Sequence, residues 1–229
     1  MYSIQKFKFA RYALEALITG YSIKEIYLPY YLCDVIRHFV VKAGAKPLFY
    51  HIDDNFMPVR NFPQESYILY PNYFGICDSN VKKLVETYPK LIVDNAHSFF
   101  SKPSGCACFY AEHKFFPIKF GAYLLIKKEG ASGEKTLPKT PSYYNISRNK
   151  FKIFYNKYKD SNLLDFDIRN AQSPFCYPYL AQTDEAADNF AKELTSQGLN
   201  IYRYWNPLPK SYNEYKFYRR LVPIPIIDN

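Results

Sequence analysis

The sequence is poor in the residues that staple, anchor or metallate a small protein. Its five cysteines are odd in number and show no Cys-x-x-Cys spacing, and its four histidines lie far apart. Cys106 and Cys108 could share one strand face, but two soft ligands alone do not make a zinc site, so reduced, mostly buried thiols are expected and a resident metal is not. No apolar run approaches the roughly 20 residues that cross a bilayer. The opening MYSIQKFKFARYALEAL is interrupted by Lys6, Lys8 and Arg11, so no secretory leader and no membrane partner are expected, and the reading is a cytoplasmic protein. Basic residues never form a run of five. They pair only at Lys82-Lys83, Lys127-Lys128 and Arg219-Arg220, and internal repeats are absent.

What is present is a large aromatic and apolar content. Of 229 residues 48% are hydrophobic and 19% aromatic, against 22% charged, which excludes disorder as the main state and suffices for a real core. Thirty Lys and Arg against 21 Asp and Glu give a net charge of +9. Scattered as they are, these cations read as a solvated surface or as an attraction for an anionic small molecule. A nucleic-acid partner would have to use the Tyr- and Lys-rich stretch 143–158 and is the weaker alternative.

Periodicity organises the first 130 residues into alternating units. Residues 10–20 (ARYALEALITG) place Ala10, Ala13, Leu14, Leu17 and Ile18 on one helical face, with Gly20 as the stop. KEIYLP at 24–29 reads as a strand, 31–44 as a helix, AKPLFYHID at 45–53 and SYILYP at 66–71 as strands. A helix over 78–89 capped by Asp78 or Ser79, and strands KLIVD, CACFY and GAYLLIKK, follow. Strand–helix alternation with near-continuous apolar strands predicts an α/β fold: a three-layer sandwich around a mostly parallel sheet. Residues 129–145 read as a connection. Beyond it, helices at 147–161, 183–198 and 213–221 and strands at 173–181 and 200–205 predict a small α+β lobe. The expected division is thus 1–140 and 141–229.

Ligands of open α/β sheets gather at the carboxyl ends of the strands. Asp94 lies at such an end, leaving the apolar strand LIV, where a carboxylate is costly without a partner. A helix cap or structural ion pair is the alternative reading. Twenty residues on, Lys114 sits in a turn between two strands, among Phe109, Tyr110, Phe115 and Phe116. Such surroundings desolvate an ammonium and lower its pKa, as an amine nucleophile requires, although a surface lysine lying over aromatics has the same sequence.

Together these segments resemble the DegT/StrS family of sugar aminotransferases, pyridoxal-phosphate enzymes of the aspartate aminotransferase fold. The resemblance is carried by LPYYLCDVIRHFVVKAGAKPLFYHIDDNFMP at 28–58, YPNYFG at 70–75, VDNAHSFF at 93–100 and FYAEHKFFPIKFGAYL at 109–124, with Gly121 seven positions after the lysine. It covers most of 10–128 and continues more weakly through SRNKFKIF at 147–154 and NIYRYWNPLP at 200–209. It implies that Lys114 carries the aldehyde of pyridoxal 5′-phosphate and moves the substrate proton, and that Asp94 pairs with the pyridine nitrogen. His97 would lie near the 3-hydroxyl and Ala96 under the ring. The helix start at Ala10–Ala13 would hold the phosphate, with Arg11 and Tyr12 beside it. Tyr73, Tyr204 and Trp205 would belong to the substrate pocket. A nucleotide-linked keto-sugar and an amino donor such as glutamate are the implied substrates, in amino-sugar or surface-polysaccharide synthesis, and a homodimer the implied assembly.

The sequence departs from the family pattern at named places. Phe109 stands where a Ser or Thr usually holds the phosphate, and the phosphate loop reads FARYA. Cys33 stands where an aromatic usually stacks on the ring, for which Tyr30 or Tyr31 could substitute, and the chain is short after residue 128. The second reading is therefore a catalytically degenerate homologue serving as a binding or assembly module. Some relatives carry histidine in place of the lysine and are dehydratases. His113 directly precedes Lys114, but Gly121 and Phe115-Phe116 fit the lysine register.

Overall fold

Strand β1 (Tyr2–Phe7) leads into helix α1 (Ala10–Gly20), strand β2 (Glu25–Pro29), helix α2 (Asp34–Lys42) and strand β3 (Lys46–Tyr50). Then come β4 (Ile68–Pro71), α3 (Asp78–Thr87), β5 (Leu91–Asn95), β6 (Ala107–Ala111) and β7 (Ala122–Lys127). The C-terminal part holds α4 (Pro141–Tyr158), β8 (Cys176–Leu180), α5 (Asp184–Ser196), α6 (Tyr215–Arg220) and β9 (Leu221–Pro225). This computed structural model describes residues 1–128, 141–205 and 207–227. The 129–140 part of the expected connection, and with it the expected boundary at 140, lies outside the described residues.

Seven strands form one sheet in the order β1-β7-β6-β5-β4-β2-β3. The neighbours from β3 to β6 run parallel, and β7 pairs antiparallel with both β6 and β1. The expected three layers follow from two-sided burial. Leu69, Ile92, Ala107, Phe109 and Leu124 face one way, onto Leu14, Leu17 and Ile18 of α1 and Ile36 and Val40 of α2. Their neighbours Tyr70, Leu91, Val93, Cys108 and Tyr110 face the other way, toward α3 and the C-terminal part. Alternate residues of one strand thus serve separate cores, which is why these segments read as unbroken apolar runs.

Several expectations need correction. β1 gave no strand signal, since Ser3, Gln5 and Lys6 interrupt its apolar residues; it is an edge strand, and its pairing partner β7 lies more than a hundred residues away. Helix α4 begins at Pro141, six residues before the expected start. Residues 201–204 form no strand: Tyr204 and Trp205 turn their rings against His97 instead of pairing backbone. Nor do α3's candidate caps act: Cys77 precedes the helix, and its N–H is bound by Asn72 Oδ1 at 3.0 Å.

In the C-terminal part, Phe151, Tyr177, Phe217 and Ile224 enter the same apolar cluster as Tyr70 of the sheet and Tyr73 and Phe99 from the segments that follow its strands. Glu214, fully buried, accepts from the Ile52 N–H at 2.7 Å and meets His51 Nδ1 at 3.0 Å; Lys216 pairs with Asp54 close by. The ribbon β8–β9 carries Pro178 opposite Pro223 and Cys176 opposite Pro225. Because Ala181 N bonds Arg220 O, these positions fall where N–H groups would point away from the partner strand, and proline has none. Among the aromatics of 143–158, Phe151 is buried and Phe154, Tyr155 and Tyr158 pack on the core, so most of the stacking surface a nucleic acid would need is already used.

As expected, Thr183 caps α5, its Oγ1 accepting from Ala186 N at 3.0 Å. Thr183→Ala is expected to cost about 1 kcal/mol, read as a lower denaturant midpoint with an unchanged m-value.

Candidate active site

Parallel pairing brings the carboxyl ends of β4, β5 and β6 to one rim, in the register Pro71–Asp94–Phe109. A cleft of about 720 Å³, counted out to its mouth, opens there. Its lining includes Asp94, Ala96 and His97 at the end of β5, Pro71 and Asn72 at the end of β4, and His113 and Lys114 from the turn between β6 and β7. The start of α1 (Phe9, Ala10, Arg11) and the start of α2 (Cys33, Val35, Ile36) close the remaining sides, with Trp205 reaching in from the C-terminal part.

Asp94 is 9% exposed, and one carboxylate oxygen accepts from the Ala96 N–H at 2.8 Å. Burial pushes this carboxyl up to about 6, against the opposing pulls of the Ala96 N–H and the Lys114 ammonium. Lys114 is half-buried, its Nζ 5.7 Å from the Phe175 ring centroid. Burial pushes its amine below the usual lysine range, while Asp94 and Cys33 pull it back up. The two groups therefore sense one another, each shifted toward its neutral form by the same apolar surroundings. His97 is held well below the ordinary imidazole range, first by burial and then by Lys114. Its ring stacks on Phe175 (4.5 Å, 16°) and on Trp205 (5.7 Å, 17°).

The lysine turn is fixed locally. Phe115 N bonds Glu112 O, Glu112 N bonds Gly121 O, and Tyr123 OH donates to Glu112 Oε2 at 2.9 Å. A Cβ at Gly121 would come within 2.8 Å of that same oxygen. His113 turns toward Gly121 O at 3.1 Å, and it is Lys114, not His113, whose charge bears on Asp94.

Of the ten residues singled out from sequence, six line this cavity: Lys114, Asp94, His97, Ala96, Arg11 and Trp205. Tyr12, Tyr31, Tyr73 and Tyr204 do not. Tyr12 is 38% exposed and packs edge-on against Phe39, on the outer side of α1. Tyr31 and Tyr73 are core residues stacked on one another (5.8 Å, 11°); Tyr73 OH donates to Tyr31 O and Tyr31 OH to Tyr204 O. Tyr204 touches His97 from behind, 5.3 Å between centroids. Of the residues considered for the ring-stacking place, Cys33 lines the cleft, whereas Tyr31 packs against Trp205 and Tyr30 stacks on Phe49.

Sequence reasoning missed Asn72. It binds Asp78 Oδ1 (3.0 Å) and Ser98 Oγ (3.1 Å) through Nδ2, and its backbone N–H donates to Asp94 O. Ser101 Oγ donates to the same Asp78 oxygen at 2.7 Å, so the turn after β5 is tied to the start of α3. The signal was available: Asn72 follows the apolar strand ILYP as Asp94 ends LIVD, and both are polar groups at strand ends. Gly75, at φ +73°, lets three segments meet; a Cβ there would lie 2.0 Å from Ser173 O and 2.6 Å from His97 O.

No family model matches the sequence, and no curated protein matches it. Solved structures do match over nearly the whole chain. A DegT/DnrJ/EryC1/StrS aminotransferase from Brucella abortus is 15% identical with a TM-score of 0.69, spanning 97% of this chain and 80% of that one. PseC of Helicobacter pylori, an aminotransferase of pseudoaminic acid biosynthesis, is 15% identical at TM-score 0.66 (97% and 81%). The GDP-4-keto-6-deoxy-D-mannose-3-dehydratase of E. coli, solved with hydrated PLP, is 13% identical at TM-score 0.70 (98% and 84%). The chain has the fold of these aminotransferases, the aspartate aminotransferase-like α/β fold that its motifs resemble.

Proposed function

We propose that this protein is a pyridoxal-phosphate-dependent aminotransferase acting on a nucleotide-linked keto-sugar, with an amino acid such as glutamate as donor. The observation that carries the reading is the opposition of Lys114 and Asp94 in one cleft, each shifted by burial and each acting on the other. The donor set fits the cofactor. An amine stands ready for an aldehyde and a carboxylate for a pyridinium. At the cleft's other end α1 begins without any side-chain cap. Among the described residues no carboxylate pairs with Arg11, whose guanidinium lies 4.3 Å from the Phe9 ring centroid.

Pyridoxal phosphate, when bound, supplies an aldehyde that captures amines and a ring that withdraws electrons from the adjacent carbon. Lys114 Nζ, lowered by burial, is the nucleophile for that aldehyde and the base that carries the proton at the reacting carbon. Asp94 holds a proton on the ring nitrogen, and Ala96 N–H keeps the carboxylate oriented. His97, neutral and clamped by Phe175 and Trp205, offers a hydrogen bond without adding charge. The α1 amides and Arg11 bind the phosphate, in place of the hydroxyl that Phe109 lacks.

A second copy of the chain is the proposed partner, covering the exposed Val35, Ile118 and Phe120 beside the mouth. We place the sugar and donor in the open side of the cleft near Trp205. Borohydride treatment after incubation with pyridoxal phosphate, followed by peptide mass spectrometry, is expected to find one pyridoxyl group, on Lys114. Protein that stays colourless and unlabelled would instead support a cofactor-free binding module.

A further inference from the structure

His113 is a group of the cleft that the reading above leaves without a task. It lines the cavity beside Lys114, and its Nδ1 is directed to the backbone at Gly121. Its Nδ1 lies 3.1 Å from Gly121 O, and a carbonyl can only accept, so the ring hydrogen sits on Nδ1 and Nε2 is left for another partner. The same ring stands edge-on against Phe9, 5.4 Å between centroids at 85°. Phe9 is the residue that precedes the first turn of α1, and Arg11 lies over the same ring at 4.3 Å. Two side chains able to carry positive charge thus converge on the start of one uncapped helix. Phe109, from the neighbouring strand, brings no donor to that end.

We infer that His113 is a phosphate ligand of this site, donating through Nε2–H to an oxygen of the cofactor's phosphate while Nδ1–H anchors the ring to Gly121 O. The inference rests on the pyridoxal phosphate reading and adds a ligand from the lysine turn itself. A bond from a doubly protonated imidazole to a phosphate oxygen is charge-assisted. The site would then hold phosphate from three directions: the α1 amides, Arg11 and His113.

Two substitutions separate this role from a structural one. In His113→Asn the amide N–H can take the place of Nδ1–H toward Gly121 O, and nothing replaces Nε2. In His113→Gln the amide reaches the place of Nε2. Dissociation constants for pyridoxal phosphate and for phosphate-free pyridoxal are measured by absorbance titration with each protein, without any turnover. His113→Asn is expected to lose about tenfold or more of the preference for the phosphorylated form, with pyridoxal binding unchanged. His113→Gln is expected to keep most of that preference. An unchanged preference in His113→Asn overturns the inference, and so does an equal loss of affinity for both compounds, which would mark His113 as a support of the lysine turn. Wild-type protein that binds neither compound overturns the cofactor reading as well, and is distinguished by failing before any substitution is compared.

Discussion

Lys114→Ala is expected to abolish amino transfer while leaving the fold intact. A general base alone is worth about 10²–10⁴-fold, and here the same amine is also the nucleophile, so turnover should fall below detection. The fold should survive because the side chain is held against its own preference: burial lowers its pKa, so the folded state gains nothing from its charge. The packing given up includes its ring contact, 5.7 Å to the Phe175 centroid. Activity with a keto-sugar nucleotide and borohydride labelling should vanish together, with an unchanged circular dichroism spectrum. Labelling that persists in Lys114→Ala would move the amine to another lysine.

Asp94→Asn should separate stability from activity. In the folded chain this carboxyl stands at about 6, against 3.8 ordinarily. The folded state therefore binds more protons than the unfolded chain between these values, and stability falls as pH rises from about 4 through 6. Above that range the ionised carboxylate costs about 3 kcal/mol, from roughly 1.4 kcal/mol per unit. Asparagine keeps an oxygen for the Ala96 N–H and removes the charge. The cofactor-free variant should thus melt several degrees higher at neutral pH, about 2–4 °C per kcal/mol for a chain of this size, and the gain should disappear near pH 4. Turnover should drop by about 10²–10³-fold, since no anion remains to keep the ring nitrogen protonated. A stability gain over the wild type that is no larger at pH 8 than at pH 4 would mean that Asp94 is not desolvated in the folded chain.

The site was legible in sequence wherever chemistry and strand ends coincide. Asp94 ends an apolar strand, Lys114 lies in the turn between two strands, and Ala96 and His97 follow the carboxylate within one turn; all four line the cleft. What failed was the choice among aromatics. Tyr31 and Tyr73 differ from Trp205 by no local signal, and only packing decides that the tyrosines bury their rings in the core while the indole reaches the cavity. Cys33 was passed over because a thiol is a weak signal beside two tyrosines. In the fold, the central strands were legible because both faces are covered. β1 was not, because its place depends on β7, far along the chain, and a partly polar edge strand has no periodicity that marks it.

The prolines of the β8–β9 ribbon have one more consequence. With Pro178 on one outer margin and Pro223 and Pro225 on the other, neither margin offers the regular row of amide donors that an incoming extended segment would need. This end of the molecule is sealed against runaway fibrous stacking and against borrowing a strand from a sister chain. Self-association at this ribbon would therefore have to be built from side-chain complementarity rather than from backbone pairing.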